Sequence, residues 1–205
     1  MADGKREVTR SNLRKLKTDL SFAREGYDLL QQKRDILLLE IMRYVAMIKN
    51  AESEFQHALD DYYREFRNAA AGMGEVSITT MAGCEKTVRG VKTSLRRFVG
   101  MSLPHIKIES RYPGLPPSFT ATSPAYDRTR LGGTVLVDRI VRYASLFRTV
   151  LLLSRELMKV QRQVNSLEKI FIPDLEGSIR YIADRLEERE REEIFIRRMM
   201  ARRKE

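Results

Sequence analysis

Residues 13–62 read LRKLKTDLSFAREGYDLLQQKRDILLLEIMRYVAMIKNAESEFQHALDDY. Stepping through them alternately by three and four residues visits Leu13, Leu16, Leu20, Ala23, Tyr27, Leu30, Arg34, Leu37, Ile41, Tyr44, Ile48, Ala51, Phe55, Ala58 and Tyr62. Fourteen of these fifteen residues are apolar or aromatic, and Arg34 alone interrupts the series. A stripe with an average period of 3.5 stays on one side of a helix only if the helix winds left-handed around a partner. Seven heptads therefore predict a coiled coil rather than a helix lying on a globular core. The 50 residues reach roughly 75 Å at about 1.5 Å per residue.

A second stripe lies near the other end of the chain. Tyr143, Leu146, Val150, Leu153, Leu157, Val160, Val164, Leu167 and Phe171 follow the same alternation. The steps then become fours through Leu175 and Ile179 before the series resumes at Ile182 and Leu186. This is a stutter, which locally unwinds a supercoil, and it coincides with Pro173, which cannot donate a helical hydrogen bond. The expectation is one long helix with a local disturbance near 171–179, and a break into two helices at Pro173 is the alternative. Neither stripe can stay in water. An antiparallel hairpin of the two arms is the simplest way to cover both, and parallel homodimerisation through each arm competes with it.

Helix breakers divide the chain into three. Five of the six prolines fall between Pro104 and Pro124, and eight of the eleven glycines between Gly72 and Gly133. This predicts an N-terminal coiled-coil arm over 1–71, an irregular middle over 72–130 and a C-terminal coiled-coil arm over 131–205. The fold class is all-α dominated: a long antiparallel two-helix coiled coil with a small middle region holding a short helix and a β-hairpin. The helical spacing of Val88, Val91, Leu95 and Phe98 predicts the short helix near 84–99. Alternation over His105–Glu109, then Pro113-Gly114 and Ser118–Ser123, reads as the hairpin.

The 205 residues carry 38 Lys+Arg against 28 Asp+Glu, a net charge of +10, with no Trp. An apolar share of 42% is too high for a disordered chain, and a charged share of 32% suits long helices with broad solvated faces. Uninterrupted apolar runs are short: Ile36–Leu39 and Val150–Leu153 are four residues long and Tyr44–Ile48 is five. A spanning helix needs about 20, so no direct membrane insertion is expected, and the N-terminal residues lack the apolar run of a signal peptide. Cys84 is the single cysteine, which excludes an intrachain disulfide and a cysteine-based zinc site.

The residues offer little for catalysis. No phosphate-cradling GxxxxGK[ST] loop occurs. Gly72-Met73-Gly74 reads as a helix stop. His57 lies beside the first stripe and His105 in the middle, neither with an acid–nucleophile pattern around it. Glu187–Glu193 carries alternating charge that forms i,i+4 pairs such as Glu187–Arg191 and Glu193–Arg197, a solvated helix face. No catalytic, cofactor-binding or metal-binding residue is therefore assigned. The positive charge gathers at both ends: Lys5, Arg6, Arg10, Arg14, Lys15 and Lys17, then Arg197, Arg198, Arg202, Arg203 and Lys204. Nucleic acid or an acidic protein collar would explain these clusters, but no aromatic interleaving favours nucleic acid.

Several segments carry a family resemblance. At the C-terminal end they are Arg162-Gln163-Val164-Asn165-Ser166-Leu167-Glu168, Ile172-Pro173, Leu175-Glu176, Ile179, Tyr181-Ile182, the run Leu186–Glu193 and Phe195. At the N-terminal end they are Thr9-Arg10, Leu13, Leu16-Lys17, Leu20, Ala23, Gly26-Tyr27, Leu29-Leu30 and Lys33-Arg34-Asp35. Together these resemble the central-stalk D subunit of V-type and A-type rotary ATPases over roughly half the chain. Gln163, Asp174 and Gly177 depart from the usual pattern, which bears on local packing.

The resemblance implies a non-catalytic rotor shaft in a complex peripheral to the membrane on the cytoplasmic side. Its two terminal helices would enter the hexamer of catalytic and non-catalytic nucleotide-binding subunits. Its lower part would bind the small F subunit of the central stalk and a funnel-shaped subunit above the membrane ring, coupling ATP turnover to proton or sodium transport. The two basic ends would then face the hexamer collar. A coiled-coil scaffold and a basic nucleic-acid-binding coiled coil are the competing readings of the residues alone.

Overall fold

The computed structural model describes residues 7–84, 90–109 and 123–202. In chain order these form α1 (Arg10–Met73), α2 (Glu75–Cys84), β1 (Gly90–Phe98), β2 (Met101–Glu109), α3 (Pro124–Ser166), a π-helical turn (Leu167–Phe171) and α4 (Ile172–Arg202). The elements gather into two compact units. One comprises Met1–Ile36 with Leu157–Glu205, the other Leu37–Glu156.

Within each unit the two ends of the sequence run antiparallel. In the first, Arg10 bonds Glu190 and Arg24 bonds Glu176, both at 2.6 Å, so the number of the opposite residue falls as the chain climbs α1. In the second, Glu54 meets Arg139 and Glu65 meets Arg128 in the same sense. The stripes of one chain therefore cover each other, and the parallel arrangement is not the one adopted. All fifteen stripe positions of α1 are buried or half-buried. Arg34 occupies its seam position half-buried, with its guanidinium turned to the Asp35 carboxylate at 2.9 Å.

The first unit buries Val160, Val164 and Ile182 against the half-buried Leu13, Leu16, Leu20, Ala23, Tyr27 and Leu30 of α1. Leu157, Leu167, Leu175, Ile179 and Leu186 are half-buried as well. Phe171 departs from the stripe and stands 58% exposed. The cause is the π turn over Leu167–Phe171, across which the Ile172 N–H donates to the Leu167 carbonyl, five residues back. In an α-helix a five-residue step ends on the far side, whereas the wider π turn returns it to the same face. Ile172 thus follows Leu167 into the seam and Phe171 is turned out. The stutter is absorbed at 167–171, just ahead of Pro173, and helical geometry continues through Ile172 at φ −62° and ψ −49°.

In the second unit Leu37, Ala51 and Leu153 are buried, with Ile41, Tyr44, Ile48, Leu146 and Val150 half-buried around them. Phe55 stacks on Tyr143 at 6.0 Å between ring centroids. At Met73 the helix stops because Gly74 takes φ +76°, a left-handed conformation that costs glycine nothing, and its N–H caps the Ala70 carbonyl at 2.9 Å. Helix α2 folds back so that Ala69, Ile78 and Tyr126 make one buried cluster.

Helix α3 begins at Pro124, inside the stretch that helix breakers assign to the middle. Pro124 takes the first helical position, where its missing N–H costs nothing, and the Ser123 hydroxyl accepts from the Tyr126 N–H at 3.3 Å. Gly132 and Gly133 do not break the helix. They let the Tyr62 ring approach, so that a Cβ on Gly133 would lie only 3.3 Å from it.

The middle differs in detail from the sequence expectation. Residues 90–98 form strand β1, not a helix, and the short helix is α2, some ten residues earlier. The 3–4–3 spacing of Val88, Val91, Leu95 and Phe98 is outweighed by pairing with β2 across a two-residue turn, Val99-Gly100. Both turn residues have positive φ, +46° and +79°, as a type I′ hairpin turn demands. Pro113-Gly114, most of Ser118–Ser123 and Val88 lie outside the described residues, so the hairpin seen is β1–β2.

Two outcomes follow. Replacing Ile172 by Ala is expected to cost about 1–3 kcal/mol in chemical unfolding, and Phe171→Ala under about 0.5 kcal/mol, the reverse of the order an unbroken α-helix predicts. Val99→Asn, which accepts positive φ more readily, is expected to raise stability by about 1 kcal/mol in the same assay.

Candidate partner-binding surfaces

Charge first decides what these helices do not spend on one another. Arg10, Arg14, Lys15 and Lys17 lie on the first turns of α1, and Arg197, Arg198 and Arg202 on the last turns of α4, all exposed. Lys5, Arg6, Arg203 and Lys204 lie outside the described residues. Arg10 is level with Glu190, whose hydrogen bond and charge push the guanidinium further above its ordinary value. Helix α4 then runs 12 residues, about three turns, beyond Glu190 to Arg202.

Every residue from Glu187 to Arg202 is exposed. Up to Glu193 this suits a charged sequence: Arg191 bonds Glu187, and Arg185 reaches Glu188 at 3.0 Å. Beyond it the same exposure meets apolar side chains. Ile194, Phe195, Ile196, Met199 and Met200 stand in water, Phe195 at 64%. At about 100° per residue, Phe195, Ile196, Met199 and Met200 fall on one face of the helix, and Arg197, Arg198 and Arg202 lie on the other side with Ile194. An exposed apolar face of this kind is one that a partner commonly covers. The sequence carried this signal, but the heptad series loses it because Arg189 and Glu193 occupy the two seam positions before Ile196 and Met200.

The second unit carries a groove of about 460 Å³ lined by Glu54, His57, Asp61, Tyr62, Glu65, Arg128 and Arg139. Glu54 receives both Arg139 and Arg142, the latter at 3.0 Å, and Glu65 receives Arg128 at 2.9 Å. These pairs clamp α3 to α1 on the groove's rim. His57 is an exposed lining residue, and His105 is exposed on β2. Cys84 ends α2, and its side chain lies outside the described residues. Among the described residues no group of three His, Cys, Asp or Glu side chains is placed to hold a metal ion, and no helix is long and apolar enough to cross a membrane.

These features define a mainly helical protein with exposed apolar and basic surfaces. The chain belongs to the ATP synthase D-subunit family, which it matches over residues 12–203. It is 32% identical to the V-type ATP synthase D subunit of Thermotoga neapolitana, over 91% of this chain and 92% of that one. It is 30% identical to the A-type ATP synthase D subunit of Saccharolobus solfataricus, over 96% and 95% of the two chains. The A-type D subunit of Thermococcus sibiricus is 29% identical over 91% and 89%. The chain is thus a stalk-type, non-catalytic member of a V/A-type ATPase complex.

The rim pairs around Glu54 are exposed, so their net worth is small and screened by salt. Glu54→Gln is expected to lower stability by under about 1 kcal/mol at low ionic strength, and by nothing measurable in about 1 M salt, by thermal melts in both buffers.

Proposed function

We propose that this chain is the central rotor shaft of its complex. The observation that carries the reading is the last three turns of α4, where Ile194, Phe195, Ile196, Met199 and Met200 stand exposed beside Arg197, Arg198 and Arg202. A closed apolar collar would bury them, and basic groups among them would meet its acidic rim. The hexamer of nucleotide-binding subunits is the partner that fits. Contacts of this kind hold an axle on centre without locking its rotation, because they lack directional bonds.

Two further properties suit a shaft. Antiparallel helices with a shared seam resist bending and twisting more than one helix does. Two dissimilar helices also present a different face in each direction, so three sites around them would be in three states at once. ATP would be made or hydrolysed on the hexamer. The shaft would pass rotation to the small F subunit of the stalk, the funnel-shaped subunit and the membrane ring, driving proton or sodium movement. The basic ends, Arg10–Lys17 and Arg197–Arg202, would lie in the collar.

The test is a reconstituted complex carrying Phe195→Ser, Met199→Ser and Met200→Ser together, or Gln at Arg197, Arg198 and Arg202. Shaft association with the hexamer is expected to weaken by at least about fivefold per anchoring side chain, and ATP-driven rotation to lose torque. Unchanged association and torque in both variants would overturn the proposal.

A further inference from the structure

The hairpin offers a surface of a different kind. Because Phe98 and Met101 close a two-residue turn, alternate pairs of the register exchange hydrogen bonds: Phe98–Met101, Arg96–Leu103 and Ser94–His105. The intervening residues, Arg97, Leu95, Thr93 and Val91 on β1 and Ser102, Pro104, Ile106 and Ile108 on β2, point their N–H and C=O groups away from the opposite strand. Two facts agree with this parity. Pro104, which has no N–H, sits opposite Leu95 where no ladder bond is needed. The Ile106 N–H is spent outside the sheet, on the Ser145 hydroxyl of α3 at 3.4 Å.

The two edges are therefore unequal. Strand β2 is the edge anchored on α3, through Ser145 and the buried Leu103. Strand β1 is the other edge of a two-stranded sheet, and every residue from Val91 to Arg97 is exposed, with Val91 at 60% and Leu95 at 70%. It presents a row of outward peptide groups flanked by apolar and basic side chains. Val91, Thr93, Leu95 and Arg97 share one face of the sheet, with Lys92, Ser94 and Arg96 on the other.

We infer that the outer edge of β1 accepts an extended, acidic segment of a partner protein as a third antiparallel strand. Backbone bonding to the outward groups of Val91, Thr93 and Leu95 would supply register. An occupant that alternates would suit both faces: β-branched apolar residues beside Val91 and Leu95, carboxylates towards Lys92 and Arg96. Like charges on the incoming strand would be repelled, so the basic flank selects the partner as well as discouraging self-pairing of the edge.

The test uses the full chain and a fluorescein-labelled heptapeptide, Val-Glu-Val-Glu-Val-Glu-Val, followed by anisotropy and amide hydrogen exchange. Saturable binding is expected, with new protection confined to the amides of Val91, Thr93 and Leu95. N-methylating alternate peptide bonds of the probe should weaken it at least about tenfold, since several backbone bonds are lost together. Leu95→Pro should do the same, and because its N–H faces outward the ladder to β2 keeps all its bonds. Lys92→Glu with Arg96→Glu should also weaken the acidic probe and admit the Val-Lys counterpart. The inference is overturned if the N-methylated probe or a flexible Glu-Gly peptide binds as well as the alternating one, which would mean a basic surface without strand addition. Absence of binding at millimolar probe overturns it too.

Discussion

The apolar seam between two antiparallel stretches of one chain is the constraint on which the rest depends. A helix as long as α1 has one side that water must not reach, and no globular core here is large enough to cover it. Only another helix with a matching period can do so, and α3 and α4 supply it within the same chain. Most of the other features are consequences. The charged outer faces exist because one side only is buried.

A seam of this kind tolerates few errors in phase, and the π turn shows how one is absorbed. The C-terminal stripe gains a residue relative to a regular heptad, and Pro173 removes a donor at the same place. A single wide turn accommodates both: it spends Ile172's N–H on a carbonyl five residues back and rotates Ile172 into the seam in place of Phe171. The exposed Ile170 and Phe171 are what that adjustment leaves outside. Arg34 is a second local exception, kept at a seam position by a long stem and an ion pair with its own neighbour.

Function, in a protein of this build, is written on what stays uncovered. The apolar turns at Ile194–Met200 and the edge of β1 are both exposed. In the two readings proposed for them, each would take a partner through different physics. The first is non-directional burial, suited to a contact that slides. The second is directional backbone bonding, suited to one that holds.

Periodicity pointed to two long helical stretches and a stutter in the second, because a repeat over fifty residues reports a repeated physical need at every turn. The same reasoning found no site for catalysis and gathered the basic groups at the two ends. It misread residues 90–98, where a helical spacing is outweighed by pairing with β2, which is near in both space and sequence but invisible to local spacing. It placed the start of the last arm too late, because Gly132 and Gly133 look like breakers until the ring of Tyr62 is seen lying against them. It put Phe171 in the seam, because a hydrogen-bond shift of one residue leaves no mark in composition. What the sequence by itself determined was which faces must be buried. Which edge of the hairpin stays free, and which side chains the π turn expels, were decided only when backbone groups found partners in three dimensions.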